Sequence, residues 1–585
     1  MLRSSRSIAL LVRSLMLGTA ATVFTGALAT TVIGCKDESQ PEYWVDKLED
    51  PAWRPRAIKR LEQFFEDTVT KANKDMQNAE VQALLNKTVD PLTKTYVDNY
   101  AEYDGKTRVA LIKLLASFRD KRTEPALKKA FEEFAKKPTG NKDDADIKWA
   151  ARAAADLKLD SLGEPLVQAF MKLKTHTMLG GVAYRDMNEA MLAMPQKSWS
   201  EPLKSMLDAK IEPPTGPKDK DKVDPYKDQL FWQTTSAEVL GVMRDESAVE
   251  PLMKALLDPS KADVAATALL ALVKIGKPAV DRATKLLKDQ DKALADFCLI
   301  RTKEATNAKE APKDKPYIAT AAIILGTTGR SEAVAPMIAA LKNAPNDMNR
   351  AVIARELTKL PATSESKEAF RAAFEQISIE TSVPPGLNAL TMLAESAAQF
   401  YDASMIDWLI ERAEKTKGGG EDLKAMQSTV AVTALKLAKP DQMPSVKAAV
   451  DKFGTKLEKD LFAQVEKLTK ACGDRAQCYL AEVEKGENQD QKNQFVGIKA
   501  AYMLAILGNE QTRDEIIARL DAIENAAVRF TAGAAIDFLS PKGSKEAADK
   551  LNRIIQKNKE TGDQNKIQGD APLKQVMYRL ETRAA

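Results

Sequence analysis

The sequence predicts an all-α protein, an α-solenoid of stacked antiparallel helix pairs running as one curved array. Three observations predict it. The segment 240–252 recurs at 325–337, with Leu240-Gly241 and Leu325-Gly326, Ala248-Val249 and Ala333-Val334, and Pro251 and Pro336 in identical register. Each block follows an Ala-rich apolar segment and precedes one with apolar residues at helical spacing, so each helix has one face to bury. Ala and Leu are abundant and aromatics make up only 6% of the chain, which favours helix packing over sheet packing. Neither helix of a pair can bury its stripe alone, so successive pairs must stack.

Along the chain, the first element is an export segment. Arg3, Arg6 and Arg13 precede an uncharged stretch over 14–34 that ends in Val32-Ile33-Gly34-Cys35. A basic start, an apolar middle and small residues before a cut form a secretory signal. An uncleaved membrane helix is the competing reading, since about twenty apolar residues can span a bilayer. The richness in Ala, Thr and Gly makes this stretch a weak permanent anchor. The last four residues resemble the lipobox of bacterial lipoproteins, with Val32, Ile33 and Gly34 before the cysteine. That resemblance implies a signal peptide over 1–34, a lipid on the thiol of Cys35 and a membrane-tethered chain. Residues 35–43 then form the tether. Lys36, rather than aspartate, after the cysteine implies the outer membrane.

Residues 44–345 carry the repeat signature. Glu-Pro followed closely by Leu occurs at Glu124-Pro125, Glu164-Pro165 and Glu201-Pro202, and weaker copies appear at Lys277-Pro278, Met443-Pro444 and after Leu507-Gly508. Leu-Gly is expected to close the first helix, because glycine tolerates the left-handed cap conformation. The proline is expected in the first turn of the second helix, where its missing N–H costs nothing. This pattern resembles the HEAT-repeat family in its bacterial form. Asp263-Val264-Ala265-Ala266 and Trp53-Arg54-Pro55-Arg56-Ala57 are imperfect versions of that family's first-helix start. A tetratricopeptide array is the runner-up, but its aromatic and small-residue pattern is missing. From 346 to 585 the signature is degenerate, with helical pairing continuing over 388–412 and 494–520. Segments 136–146, 212–229, 306–316 and 415–422 mix Lys, Asp, Gly or Pro without an apolar face and read as exposed loops.

The chain has four cysteines. Cys472 and Cys478 are the obvious disulfide pair in an oxidising compartment. In one straight helix they would lie about 9 Å apart, beyond the usual reach of about 7 Å, so Gly473-Asp474 is expected to end one helix and turn into the next. Two free thiols or half a metal site are the alternatives, although no neighbouring His or Cys completes a ligand set. Cys298 reads as a lone buried thiol. The formal net charge is +4, and removing the three signal arginines leaves the mature chain near +1. That balance supplies no basic excess for nucleic acid.

Catalytic chemistry is hard to find. The single histidine, His176, nearly excludes a His-based metal site or a His-activated nucleophile. The glycine triplet at 418–420 lacks the Lys-Ser/Thr of a phosphate loop. Asp219, Asp221, Asp224 and Asp228 alternate with lysines and lack the glycine and terminal glutamate of a calcium loop. Neither cofactor nor metal is expected. Phycobilin lyases carry related repeats, a likeness of fold alone. The expected function is a non-catalytic scaffold, anchored in the cell envelope, that binds protein partners there. Two alternatives stay open. One is a glycan-active enzyme, which needs clustered acids and aromatics in one concavity. The other is a small-ligand-binding protein, which needs a cavity inside the helix array.

Overall fold

A computed structural model describes residues 37–138, 145–175, 178–214, 216, 219–384, 386–490 and 493–584. Val32, Ile33, Gly34, Cys35 and His176 lie outside the described residues. The described chain is all-α, with one two-stranded hairpin, Ser382–Val383 against Leu387–Asn388. It divides into two compact units, which meet in sequence between Thr88 and Val89.

In the first unit, helices Pro41–Asp46 and Arg54–Lys71 pack around Trp44, Leu48, Ile58 and Leu61, all buried. The Trp44 indole donates to the Glu38 carbonyl at 2.7 Å, so its one polar group is satisfied. Arg56 and Arg60 each lie over the Trp44 ring, at 5.3 and 5.6 Å.

The second unit shows the predicted punctuation, with one addition and one correction. Each signature proline sits within the first three residues of its helix. Pro125 lies in Glu124–Lys136, Pro165 in Gly163–Phe170, Pro202 in Ser200–Asp208, Pro251 in Val249–Leu257 and Pro336 in Val334–Lys342. These positions have no intrahelical N–H bond to lose. The addition is a single 3-10 turn before each of these helices. The correction concerns the Leu-Gly glycines. Gly241 and Gly326 lie inside Lys220–Val242 and Pro316–Thr328, and neither has a positive φ. A Cβ on Gly241 would stand 2.7 Å from the Cα of Ala271, and one on Gly326 would stand 2.8 Å from the carbonyl oxygen of Glu356. These glycines let the next helix approach to backbone contact. The left-handed position falls three residues later, at Arg244 (φ 52°) and Gly329 (φ 64°).

The expected loop over 212–229 is helical from Lys220 onward, with Pro225 inside the helix. The apolar stripe further along carries the helix back through the proline. Asp228 turns inward, where its carboxylate accepts from the backbone N–H and hydroxyl of Thr175 at 2.6 and 3.2 Å. The four aspartates therefore do not converge. Among the described residues, no group of three or more His, Cys, Asp or Glu side chains gathers as a metal site.

Eight helices of this unit form one layer: α1 (Ala262–Ile275), α2 (Pro316–Thr328), α3 (Asp347–Leu357), α4 (Ala389–Ser396), α5 (Glu421–Leu437), α6 (Gln494–Leu507), α7 (Ala526–Phe538) and α8 (Gln564–Arg583). Each packs on the next, and α8 packs back on α1, so the layer closes into a circuit. The last step depends on α8. A buried Arg529 on α7 pairs with Asp570 on α8 at 2.6 Å, and Asn558 donates to the other oxygen of Asp570 at 2.7 Å. Across the closing seam, Lys274 and Arg244 both pair with Glu581. Charged groups do here what apolar stripes do along the rest of the layer.

A candidate ligand cavity at the closure of the helix circuit

The closed layer holds a cavity of about 870 Å³, lined from α1, α2, α3, α6, α7 and α8 and from the turns after α3 and α4. That volume suits a drug-sized molecule. One wall is aromatic. Residues 530, 533, 534, 537 and 538 share one face of α7 by helical spacing, and all five line the cavity. Phe530 and Phe538 on that face are 54% and 37% exposed, although aromatic rings elsewhere are largely packed away. On the same face, position 533 leaves little room for a side chain, because a Cβ there would stand 2.6 Å from Leu573 Cδ2 of α8.

Tyr401 joins that wall from the turn after α4. Its ring centroid lies 4.6 Å from Phe538 and 5.2 Å from Tyr502 of α6. Its backbone is left-handed, with φ 48°, a conformation that costs a bulky side chain energy and gathers at functional sites. Burial first, then Tyr502 and Asp537, pushes the Tyr401 hydroxyl well above its ordinary pKa. Burial also raises that of Tyr502.

The polar lining falls into two clusters of the same design. In one, Glu356 is fully buried and is shared by Arg355 at 2.7 Å and Lys359 at 2.7 Å. In the other, Asp537 is shared by Arg579 at 2.5 Å and Arg583 at 3.0 Å. Burial pushes the Asp537 carboxyl up, but Arg583 and Arg579 outweigh that and hold it below its ordinary value. Each cluster thus has two cations on one carboxylate. The second also builds the seam. Arg579 Nε donates to Thr327 O and its Nη2 to Gly326 O, both at 2.7 Å, capping the end of α2. Arg330 returns the favour by donating to Thr582 O near the end of α8. Gly329 has no side chain because Arg579 and Arg583 pack over it.

Cys472 and Cys478 stand at disulfide distance, with Cα atoms 5.3 Å apart. Gly473, at φ 58°, ends helix Lys456–Cys472 before Ala476–Glu484 begins, as the spacing predicts. Cys298 is buried. No cavity residue was singled out from the sequence, but a signal existed. Ala526–Phe538 has apolar residues on every face, which is expected of a helix covered on both sides. One side meets the core through Val528, Ala532 and Ile536, and the other meets the cavity.

No protein-family model matches the chain, and no curated protein matches it. What the fold and the cavity define is a class: an all-α protein of stacked helices whose last helix returns to close a ligand-sized space.

Proposed function

We propose that this chain is a lipid-anchored envelope protein that binds a small molecule without transforming it. The observation that carries the reading is the cavity of about 870 Å³ inside the closed layer, with exposed aromatic rings on one wall and paired charges around it. Glycan hydrolysis needs one carboxyl group free to donate a proton. The two buried carboxylates here, Glu356 and Asp537, are each held between two cations, which favours binding over acid catalysis. Anchoring through Cys35, placement at the outer membrane and kinship with HEAT-like repeats belong to the same proposal and rest on the sequence. A protein-docking scaffold is the second reading. It draws on the exposed side chains Ile300, Leu387 and Leu457, which lie on three different elements.

Native mass spectrometry of the full-length chain, released gently from the envelope, tests the proposal. A reproducible small-molecule adduct that disappears in Ala534→Trp, a variant that fills the cavity, supports it. An adduct-free wild type, or an adduct indifferent to Ala534→Trp, overturns it.

A further inference from the structure

Resting on the cavity reading above, we infer that the ligand is a ring-bearing molecule with an acidic group, an aromatic carboxylate in chemical class. The ring follows from where the aromatics are. Tyr401, Tyr502, Phe530 and Phe538 all line this one cavity, in a chain where aromatics are scarce. Tyr401 already stacks on Tyr502 and Phe538, while Phe530 is 54% exposed and Phe538 keeps 37% of its surface open beside Tyr401. Such faces are worth covering with another ring, because offset or edge-to-face aromatic pairs add to the gain from area alone. An aliphatic chain would use the area but not the geometry.

The acid follows from the charge count. Each buried carboxylate of the lining is shared by two cations, so each cluster keeps one positive charge without a matching carboxylate. Lys359 is the reachable member of the first cluster. Its side chain lines the cavity and is 28% exposed, and an ionised acceptor satisfies an ammonium donor better than a neutral one. The third lining carboxylate, Glu510, is exposed at the start of helix Glu510–Arg519, so the lining as a whole carries four cations (Arg355, Lys359, Arg579, Arg583) against three carboxylates. Tyr401 and Tyr502 add hydroxyl groups to the residues that line the cavity.

Isothermal titration of the full-length protein with naphthoate, naphthalene carboxamide and decanoate tests this. Naphthoate is expected to bind more tightly than either of the others. Phe530→Ala, which alters an exposed ring and spares the packed core, is expected to weaken it about tenfold. Lys359→Met is expected to weaken naphthoate but not the carboxamide, with Arg355 still pairing with Glu356. Circular dichroism confirms that both variants stay folded. Equal binding of the carboxamide overturns the acidic group. Decanoate binding as tightly as naphthoate overturns the ring. In both cases sensitivity to Phe530→Ala would leave the cavity reading standing. No binding of any probe, or binding indifferent to Phe530→Ala and Ala534→Trp, overturns both.

Discussion

Arg579 donates its Nε–H to the carbonyl oxygen of Thr327 at 2.7 Å, joining residues 252 positions apart. The same guanidinium pairs with Asp537 and caps Gly326, so one side chain holds the end of α2, the end of α7 and α8 together. Removing one partner of a buried ion pair is costly because the other charge stays buried. Arg579→Met is therefore expected to destabilise the closure by about 3 kcal/mol. Hydrogen exchange should quicken first in α8 and at the end of α2. Unchanged protection there would refute a closing role for α8.

Gly241 separates two explanations of the repeat glycine. Its backbone is ordinary helix, and a Cβ would meet the backbone of Ala271. Backbone cannot rotate away, so Gly241→Ala is expected to cost about 1–3 kcal/mol through overpacking. A cap glycine exchanged for alanine also loses stability, but through strain at positive φ. The discriminating variant is Arg119→Gly, at the exposed left-handed residue (φ 51°) just after helix Gly105–Ser117, which is expected to stabilise by relieving that backbone without breaking an ion pair. Thermal unfolding of the two variants should move in opposite directions.

Lys499 on α6 is fully buried, and burial brings its pKa down to about 7. Its Nζ donates to the carbonyls of Lys436 and Ala438 at 3.2 and 2.5 Å, capping the end of α5. Between about 7 and the ordinary value of 10.5, the unfolded chain binds this proton and the folded one does not. Stability therefore rises with pH across that window and loses this contribution as pH falls toward 7. Lys499→Met should flatten that slope in chemical denaturation at a series of pH values. An unaltered slope would show that the amine does not titrate there.

Opening the Cys472–Cys478 bridge releases a short loop, worth about 2 kcal/mol on the loop-entropy model. The paired Cys472→Ser and Cys478→Ser variant should show faster exchange in helices Lys456–Cys472 and Ala476–Glu484, with the closing seam unaffected. Slower or equal exchange there would argue against a stabilising bridge.

Lipidation is tested at Cys35. Cys35→Ala is expected to yield an unprocessed or soluble chain in envelope fractionation, and globomycin should block processing of the wild type. Processing that ignores globomycin would rule out the lipoprotein route.

The helical class, the position of the prolines and the turn between Cys472 and Cys478 are legible in the residue order alone. Those features are set by neighbours in the chain: missing N–H groups, left-handed turns and apolar spacing act within a few residues. The local rule already failed at Gly241 and Gly326, whose reason is a helix some 30 residues further on. It failed again over 212–229, where a proline and alternating charges resemble a loop until the later apolar stripe is counted. Closure could not be read at all, because Arg579, Arg330 and Glu581 look like ordinary solvated charges until tertiary structure brings α8 against α1 and α2. The cavity depends on that same step. Phe530 and Phe538 are two apolar residues on a helix, and only the return of α8 decides that they line an open cavity rather than core.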